Sequence, residues 1–263
     1  MDLSIVILHS NTPKDVEMCL RSLRQARLPA ATEIIVINNR INGANDLVPA
    51  DSWTGLNVRF LETDVDGYIY GNNLGYKLAT GRIIGTMNAD ITMPADTIER
   101  LVAHLDAHPE TGIVAPRLFY PSGQEQDSAR PFPSFFELIK RRVGRARSER
   151  PQFGDNEWAE IDWVTGAFFF MTRETMKIVG GHDERFHLFM SDVAICRNAW
   201  AAGLHVRQLR DCRATHHEAR LSGGNLWRLI HKRTGRIHVK DSLKYFLHYG
   251  PKPLPPLSPS AQR

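Results

Sequence analysis

At 263 residues the chain is long enough for one large α/β domain or two small ones, and either would bury a substantial core. Lys plus Arg number 33 against 29 Asp plus Glu, and a formal charge of +4 spread along the chain is too mild and too dispersed to point to nucleic acid. Cys19, Cys196 and Cys212 are odd in number, widely separated and without CxxC spacing, which argues against a disulfide framework or a zinc cluster and for a reducing compartment.

The opening "MDLSIVILHS" lacks the basic flank and longer apolar stretch of a signal peptide, so export is not expected. The strongest apolar run, "VTGAFFFM", is strand length and falls well short of the roughly 20 residues that cross a bilayer.

In chain order, "LSIVILHS" (3–10) is a β-branched apolar run and predicts a strand. "DVEMCLRSLRQA" carries Val16, Leu20 and Leu23 at the spacing of one helical face, and "EIIVINN" (33–39) predicts a second strand. Strand, helix, strand is a βαβ unit of a parallel sheet. "NVRFLET" (57–63) predicts a third strand, "GNNLGYKLATG" a helix closed by Gly81, and "RIIGTMNAD" a fourth strand ending at Asp90. A helix is expected over 94–110 and a strand in "GIVAPRLFY". After the turn-rich "PSGQEQDSARPFPS" comes a basic segment, 135–150. "IDWVTGAFFFMTRETMKIVGG" reads as a strand and a short helix closed by Gly180 and Gly181, and "SDVAICRNAWAAG" (191–203) as a helix with Ser191 or Asp192 at its start. "HVRQLRDCRATHH" is extended, residues 226–250 are helical in pattern, and the Pro/Ser-rich tail from 251 is expected to be disordered.

Ligands of open parallel sheets collect at the carboxyl ends of the strands. His9, Ser10, Asn11, Asn38, Asn39 and Asp90 fall at such ends. The turn after the first strand, "HSNTPKD", contains no glycine, which disfavours a dinucleotide-binding oxidoreductase, and a Walker P-loop is absent from the sequence. A sugar nucleotide needs instead a divalent cation on its diphosphate, held by one or two carboxylates. Asp90 suits that role; read locally, it serves equally well as a cap of the turn before Pro94.

The stretches "LSIVILHSNT", "EIIVINN", "GYIYGNNLGYKLATGRIIGTMNAD", "LVAHLDAHPETGIVAPRLFYPSGQEQDSARPFPS", "IDWVTGAFFFMTRETMKIVGGHDERFHLFMSDVAIC" and "ATHH" follow in an order and spacing that resembles one family. It is the inverting family-2 glycosyltransferases of GT-A fold, in particular the rhamnosyltransferase-like branch of bacterial surface polysaccharide synthesis. The resemblance implies an α/β GT-A fold: a Rossmann-like, mostly parallel central sheet flanked by helices, with a smaller acceptor-side subregion and C-terminal helices. It spans a single domain over 1–250, with a nucleotide-sugar half over 1–95, an acceptor half over 96–220 and C-terminal helices over 221–250.

By the same resemblance, "NAD" (88–90) is the metal-binding motif, with Asp90 the ligand of Mn²⁺ or Mg²⁺ on the diphosphate. His216, and after it His217, would stand near that metal. Asp192 is the candidate general base; its local alternative is an N-cap of the following helix. His9, Ser10, Asn11, Asn38, Asn39, Arg40, Asn72 and Asn88 would surround the nucleotide sugar. Trp163, Thr165, Gly166 and Asp183 would line the acceptor, with Trp163 offering a flat face to a sugar ring or, alternatively, lying in the core. Where the family usually has an Asp for the donor base, this chain has Asn38, whose amide carbonyl can accept the same hydrogen bond without charge assistance. Ser191 stands where an acidic neighbour of the base is usual, and Ala194 and Ile195 replace polar followers.

The expected activity is metal-assisted, inverting transfer of a sugar, L-rhamnose from dTDP-rhamnose being the named donor, to a glycan or lipid-linked acceptor. The alternative is a non-catalytic sugar-nucleotide-binding or scaffolding relative in a polysaccharide assembly complex. Residues 135–150 combine six Lys and Arg with Phe135, Phe136, Leu138, Ile139 and Val143, which suits either a solvated loop or contact with an anionic membrane surface. A cytoplasmic protein, peripheral on the inner face of the plasma membrane through this segment, is the corresponding expectation, with no nucleic-acid partner.

Overall fold

The computed structural model describes residues 1–10, 12–39, 53–63, 67–134, 151–217 and 233–251. Asn11, Arg40, the basic segment 135–150 and the tail from 252 lie outside the described residues. The β-branched runs form β1 (Leu3–His9), β2 (Thr32–Asn39), β3 (Val58–Thr63) and β4 (Ile83–Asn88), all parallel, in the order β3-β2-β1-β4. Burial on both faces explains why β1 is apolar almost throughout rather than alternating. Helix α1 (Pro13–Gln25) connects β1 to β2 with Val16, Cys19, Leu20 and Leu23 buried, and carries Pro at its first turn.

Helix α2 (Tyr68–Leu78) begins earlier than "GNNLGYKLATG" suggests and ends at Ala79, which is extended; Gly81 does not close it. Gly81 sits in the approach to β4, where a Cβ would come 2.5 Å from the Ser4 backbone nitrogen. Gly71 and Gly75 let α2 lie directly on β1: a Cβ at Gly75 would stand 2.2 Å from Val6 Cγ1, and one at Gly71 2.3 Å from Leu8 Cδ1. Gly75→Ala is therefore expected to cost about 1–3 kcal/mol through overpacking. Equilibrium urea unfolding checks this, and an unchanged midpoint would mean that the helix moves away freely.

β4 stops at Asn88, and Asp90 lies two residues beyond it, in the turn before β5 (Ile91–Thr92). Helix α3 (Thr97–Ala107) is shorter than expected because Pro94 stands in the approach rather than in the first turn. β6 (Thr111–Phe119) joins the same sheet, followed by the short β7 (Ala129–Arg130) and β8 (Trp158–Glu160). "WVTGAFFFM" is not one strand. It breaks at Gly166 into β9 (Trp163–Val164), which pairs with β7 in a separate two-stranded sheet, and β10 (Phe168–Thr172).

β10 inserts antiparallel between β4 and β6, so its start lies at the edge where β4 ends, with Phe168 opposite Met87. Helix α4 (Arg173–Val179) is capped by the Thr172 side chain and closed by left-handed Gly180, and α5 spans Ser191–Ala201. β11 (His205–His216) is one long strand, parallel to β6 and antiparallel to β5 at its end. Helix α6 (Arg233–Tyr249) completes the described chain; residues 226–232 of the expected helix lie outside it. Among the described residues the main sheet has nine strands with a hydrophobic cluster on each face, which places the carboxyl ends of β1, β2, β4 and β11 along one rim.

Candidate active site

Three parallel strand ends open the rim. His9 pairs in register with Asn38, and Leu8 with Asn88. His9 is buried, which pushes its pKa down to about 4, and its Nδ1 accepts from the Thr12 backbone N–H at 3.3 Å. Ser10 is exposed beside it. Asn38 is buried at the end of β2, whereas Asn39 spends its amide on the Gly67 carbonyl at 3.0 Å, tying the strand to the start of α2. Asn72 faces inward on α2 and donates to the Tyr68 carbonyl at 2.9 Å.

Asp90 is buried, and its Oδ2 has no hydrogen-bond partner. Among the described residues, His216 Nε2 stands 3.4 Å from it. The proton on His216 follows from its other neighbour. Gln126 donates its amide N–H to the His216 carbonyl at 3.0 Å, so Gln126 Oε1 faces His216 Nδ1 at 3.0 Å, and Nδ1 must carry the hydrogen. In the neutral ring Nε2 then presents a lone pair towards Asp90 Oδ2, with the Asn88 amide 3.4 Å away. Two acceptors facing each other in a buried site favour a cation between them. His217 holds Asp90 differently: its backbone N–H donates to the Asp90 carbonyl at 3.0 Å, while its ring pairs with the Thr92 hydroxyl at 3.0 Å.

The pair Asp90 and His216 therefore fits a divalent cation that takes its remaining ligands from diphosphate and water. Among the described residues there is no group of three or more His, Cys, Asp or Glu that could hold a metal by itself.

Asp192 lies on the same rim through a short path. The Asn88 N–H donates to the Ala167 carbonyl at 2.8 Å, and the neighbouring Gly166 N–H donates to Asp192 Oδ2 at 3.2 Å. The other oxygen accepts from the Val193 N–H at 2.9 Å. Asp192 is the second residue of α5, and the cap position belongs to Met190. Burial lifts the Asp192 carboxyl above its ordinary range, against the pull of those two N–H groups and the charge of Arg130. Tyr68 closes the other side, donating to the Gly166 carbonyl at 2.6 Å; a Cβ at Gly166 would meet that hydroxyl at 2.5 Å.

Thr165 donates its N–H to the Ser128 carbonyl. The Trp163 ring is buried, donates to the Pro131 carbonyl at 2.9 Å, and carries the Arg130 guanidinium 5.2 Å from its centroid. Asp183 is paired with Arg185, whose hydrogen bonds hold the carboxyl below its usual range although burial opposes this.

Sequence reasoning missed three contributors to this rim: Gln126, Arg130 and Asp241. Asp241 is buried on α6, and its carboxyl oxygens accept from three consecutive backbone N–H groups, His187 (3.2 Å), Leu188 (3.0 Å) and Phe189 (2.9 Å). The next residue, Met190, is the one non-glycine residue with positive φ (66°) among the described residues, and Asp192 follows two positions later. Asp241 thus secures the loop that delivers Asp192. Asp241→Ala is expected to lower kcat about tenfold or more and leave the donor KM nearly unchanged, with Asp241→Asn intermediate because it keeps one acceptor. Steady-state kinetics on the two variants checks this; an equal fall in activity and donor affinity would point to general loosening instead.

The sequence pattern of the family described as Glycosyl transferase family 2 matches residues 4–173, which contain β1 through the start of α4. The chain belongs to glycosyl transferase family 2. This family 2 glycosyltransferase is 27% identical over 223 residues to the O-antigen biosynthesis protein RfbC of Myxococcus xanthus, covering 82% of the chain and 17% of that protein. It is 25% identical over 215 residues to the N-acetylglucosaminyl-diphospho-decaprenol L-rhamnosyltransferase of Mycobacterium tuberculosis, covering 69% of the chain and 66% of the relative. The chain therefore spans less than two thirds of either relative. Among solved structures, the mannosyltransferase PcManGT from Pyrobaculum calidifontis, in complex with GDP-Man and Mn²⁺, superimposes with a TM-score of 0.64 at 20% identity, covering 98% of the chain and 67% of that structure. The family 2 transferase has the GT-A fold expected from its sequence. No helix among the described residues is long and apolar enough to cross a membrane.

Proposed function

We propose that the protein is an inverting, metal-assisted glycosyltransferase that moves L-rhamnose from dTDP-rhamnose to a glycan or lipid-linked acceptor in bacterial surface polysaccharide synthesis. The observation that carries the reaction type is the Asp90 Oδ2 without a hydrogen-bond partner, 3.4 Å from His216 Nε2, on the same rim as the buried Asp192. The L-rhamnosyltransferase among the relatives supports the sugar.

Asp90 and His216 would hold Mn²⁺ or Mg²⁺, which neutralises charge on the departing nucleoside diphosphate. His9, Ser10 and Asn38 border the donor side, and Asn38 offers an amide carbonyl to the base. Residues 1–95 supply this donor side and 96–220 the acceptor side of one domain. Gly166 and Val193 orient the Asp192 carboxylate, which takes the acceptor hydroxyl proton as that oxygen attacks the anomeric carbon opposite the leaving group. One displacement inverts the anomeric centre and needs no covalent intermediate.

A panel of nucleotide sugars, read first by calorimetry and then by transfer, tests the reading. dTDP-rhamnose with Mn²⁺ is expected to bind at least tenfold more tightly than the other donors, and a chelator to weaken that binding at least tenfold. Tight binding without transfer to any glycan or lipid-linked acceptor would favour a sugar-nucleotide-binding scaffold, for which the buried, unpartnered Ser191 hydroxyl beside Asp192 is the relevant feature.

A further inference from the structure

Among the described residues, none covers the outer face of α6. Val239, Leu243 and Leu247 are 39%, 51% and 87% exposed and stand four residues apart, so they form one line along the helix. Arg236, Lys240 and Lys244, also exposed and four apart, form a second line beside it; Lys244 donates to the Arg185 carbonyl at 2.6 Å. The only acidic residue of α6 is Asp241, and it is buried on the inner face with Tyr245. The helix therefore presents apolar chains flanked by cations with no acid of its own among them.

We propose that this face of α6 docks on an anionic lipid surface, with the leucines at the acyl boundary and the Arg and Lys heads among the lipid phosphates. Three aligned apolar side chains differ from the scattered exposed Leu of an ordinary surface, and their cationic border matches anionic head groups. A second copy fits less well, because an isologous contact through this face would set two rows of cations together. The chain's own tail also fits less well: residues 251–263 contain Lys252 and Arg263 and no acid. Through Asp241 the inner face of α6 holds the loop before Asp192, so the docking face and the loop of the proposed base share one helix. The biological use of this placement rests on the proposed lipid-linked acceptor, but the binding itself does not.

The full chain is mixed with phosphatidylcholine vesicles with and without phosphatidylglycerol, without donor or acceptor, and co-sedimentation is measured. Wild type is expected to pellet with the anionic vesicles and to be released by salt. A Leu243→Glu/Leu247→Glu variant should pellet about tenfold less while melting like wild type and keeping transfer to a soluble acceptor. Lys240→Gln is the milder second variant should the first fail to fold, and is expected to weaken pelleting severalfold. Absence of wild-type pelleting, or pelleting unchanged in a folded variant, overturns the proposal, the second result placing the contact outside α6. A lipid-free dimer in sedimentation velocity that Leu243→Glu/Leu247→Glu dissolves overturns it in favour of self-association. Failure of the donor panel leaves the vesicle result standing, so the two readings fail separately.

Discussion

Asp192→Asn is expected to lower kcat by roughly 10³-fold with little change in donor KM, because a positioned general base contributes about 10²–10⁴-fold and an amide cannot take the proton. The loss is chemical rather than structural so long as the loop is held by Asp241 and Met190 keeps its turn. Asn retains one acceptor oxygen where Gly166 and Val193 supply two donors, so the melting temperature of the variant must accompany its kinetics. The pH profile gives an independent readout. Burial raises the Asp192 pKa above 3.8, and only the deprotonated form can act as a base. The acid limb of kcat/KM should therefore lie at higher pH than an ordinary carboxylate would give, with activity falling as pH drops through it. Wild-type turnover in Asp192→Asn would remove this residue from the reaction.

Acid should also unfold the protein early. His9, His104 and His182 are buried, and desolvation pushes each from 6.5 to about 4. A depressed histidine is neutral in the native chain and protonates near 6.5 once unfolded. Between pH 6.5 and 4 the unfolded chain thus binds up to three more protons than the native one, and stability falls as pH falls. At about 1.4 kcal/mol per proton and pH unit, the slope approaches roughly 4 kcal/mol per unit, which is comparable to the whole stability of a typical domain within two units. Asp162 and Asp192, whose pKa values burial raises, act in the opposite direction and remove part of this. Urea midpoints at pH 7.5, 6 and 5 measure the slope, and His104→Gln should flatten it by about one proton. Equal midpoints across that range would show that these imidazoles are charged in the native state.

The parallel half of the sheet was readable because β1, β2 and β4 are continuous apolar runs ending in polar residues, and both faces of such strands are buried. The strand ends carry their chemistry locally, so His9, Asn38 and Asp90 could be placed on the rim from spacing alone. The errors came where tertiary contacts override local pattern. The break of "WVTGAFFFM" at Gly166 follows from Tyr68 and Asp192 closing on that glycine, residues 98 and 26 positions away. Gly81 looked like a helix stop but is small because Ser4 backbone lies against it. Gln126 and Asp241 gave no signal because each acts on a partner 50 or more residues distant: Gln126 on His216 and Asp241 on residues 187–189. Asp192 was singled out only through the resemblance to a family, since an acid near a helix start is ordinarily a cap, and here the cap position falls to Met190.

The reversed strand β10 has a mechanical consequence. In an all-parallel sheet the residue preceding a strand sits at the far edge from its neighbours' ends, about a strand length away. Reversal instead brings Ala167 against Asn88, so the Ala167 carbonyl, one residue beyond the Gly166 N–H that orients Asp192, accepts from the Asn88 N–H two residues before Asp90. Asp192 itself rides on α5, so its tie to the end of β4 runs through the Gly166 N–H and the Ala167 carbonyl, and a slip of β10 along β4 would carry that anchor with it.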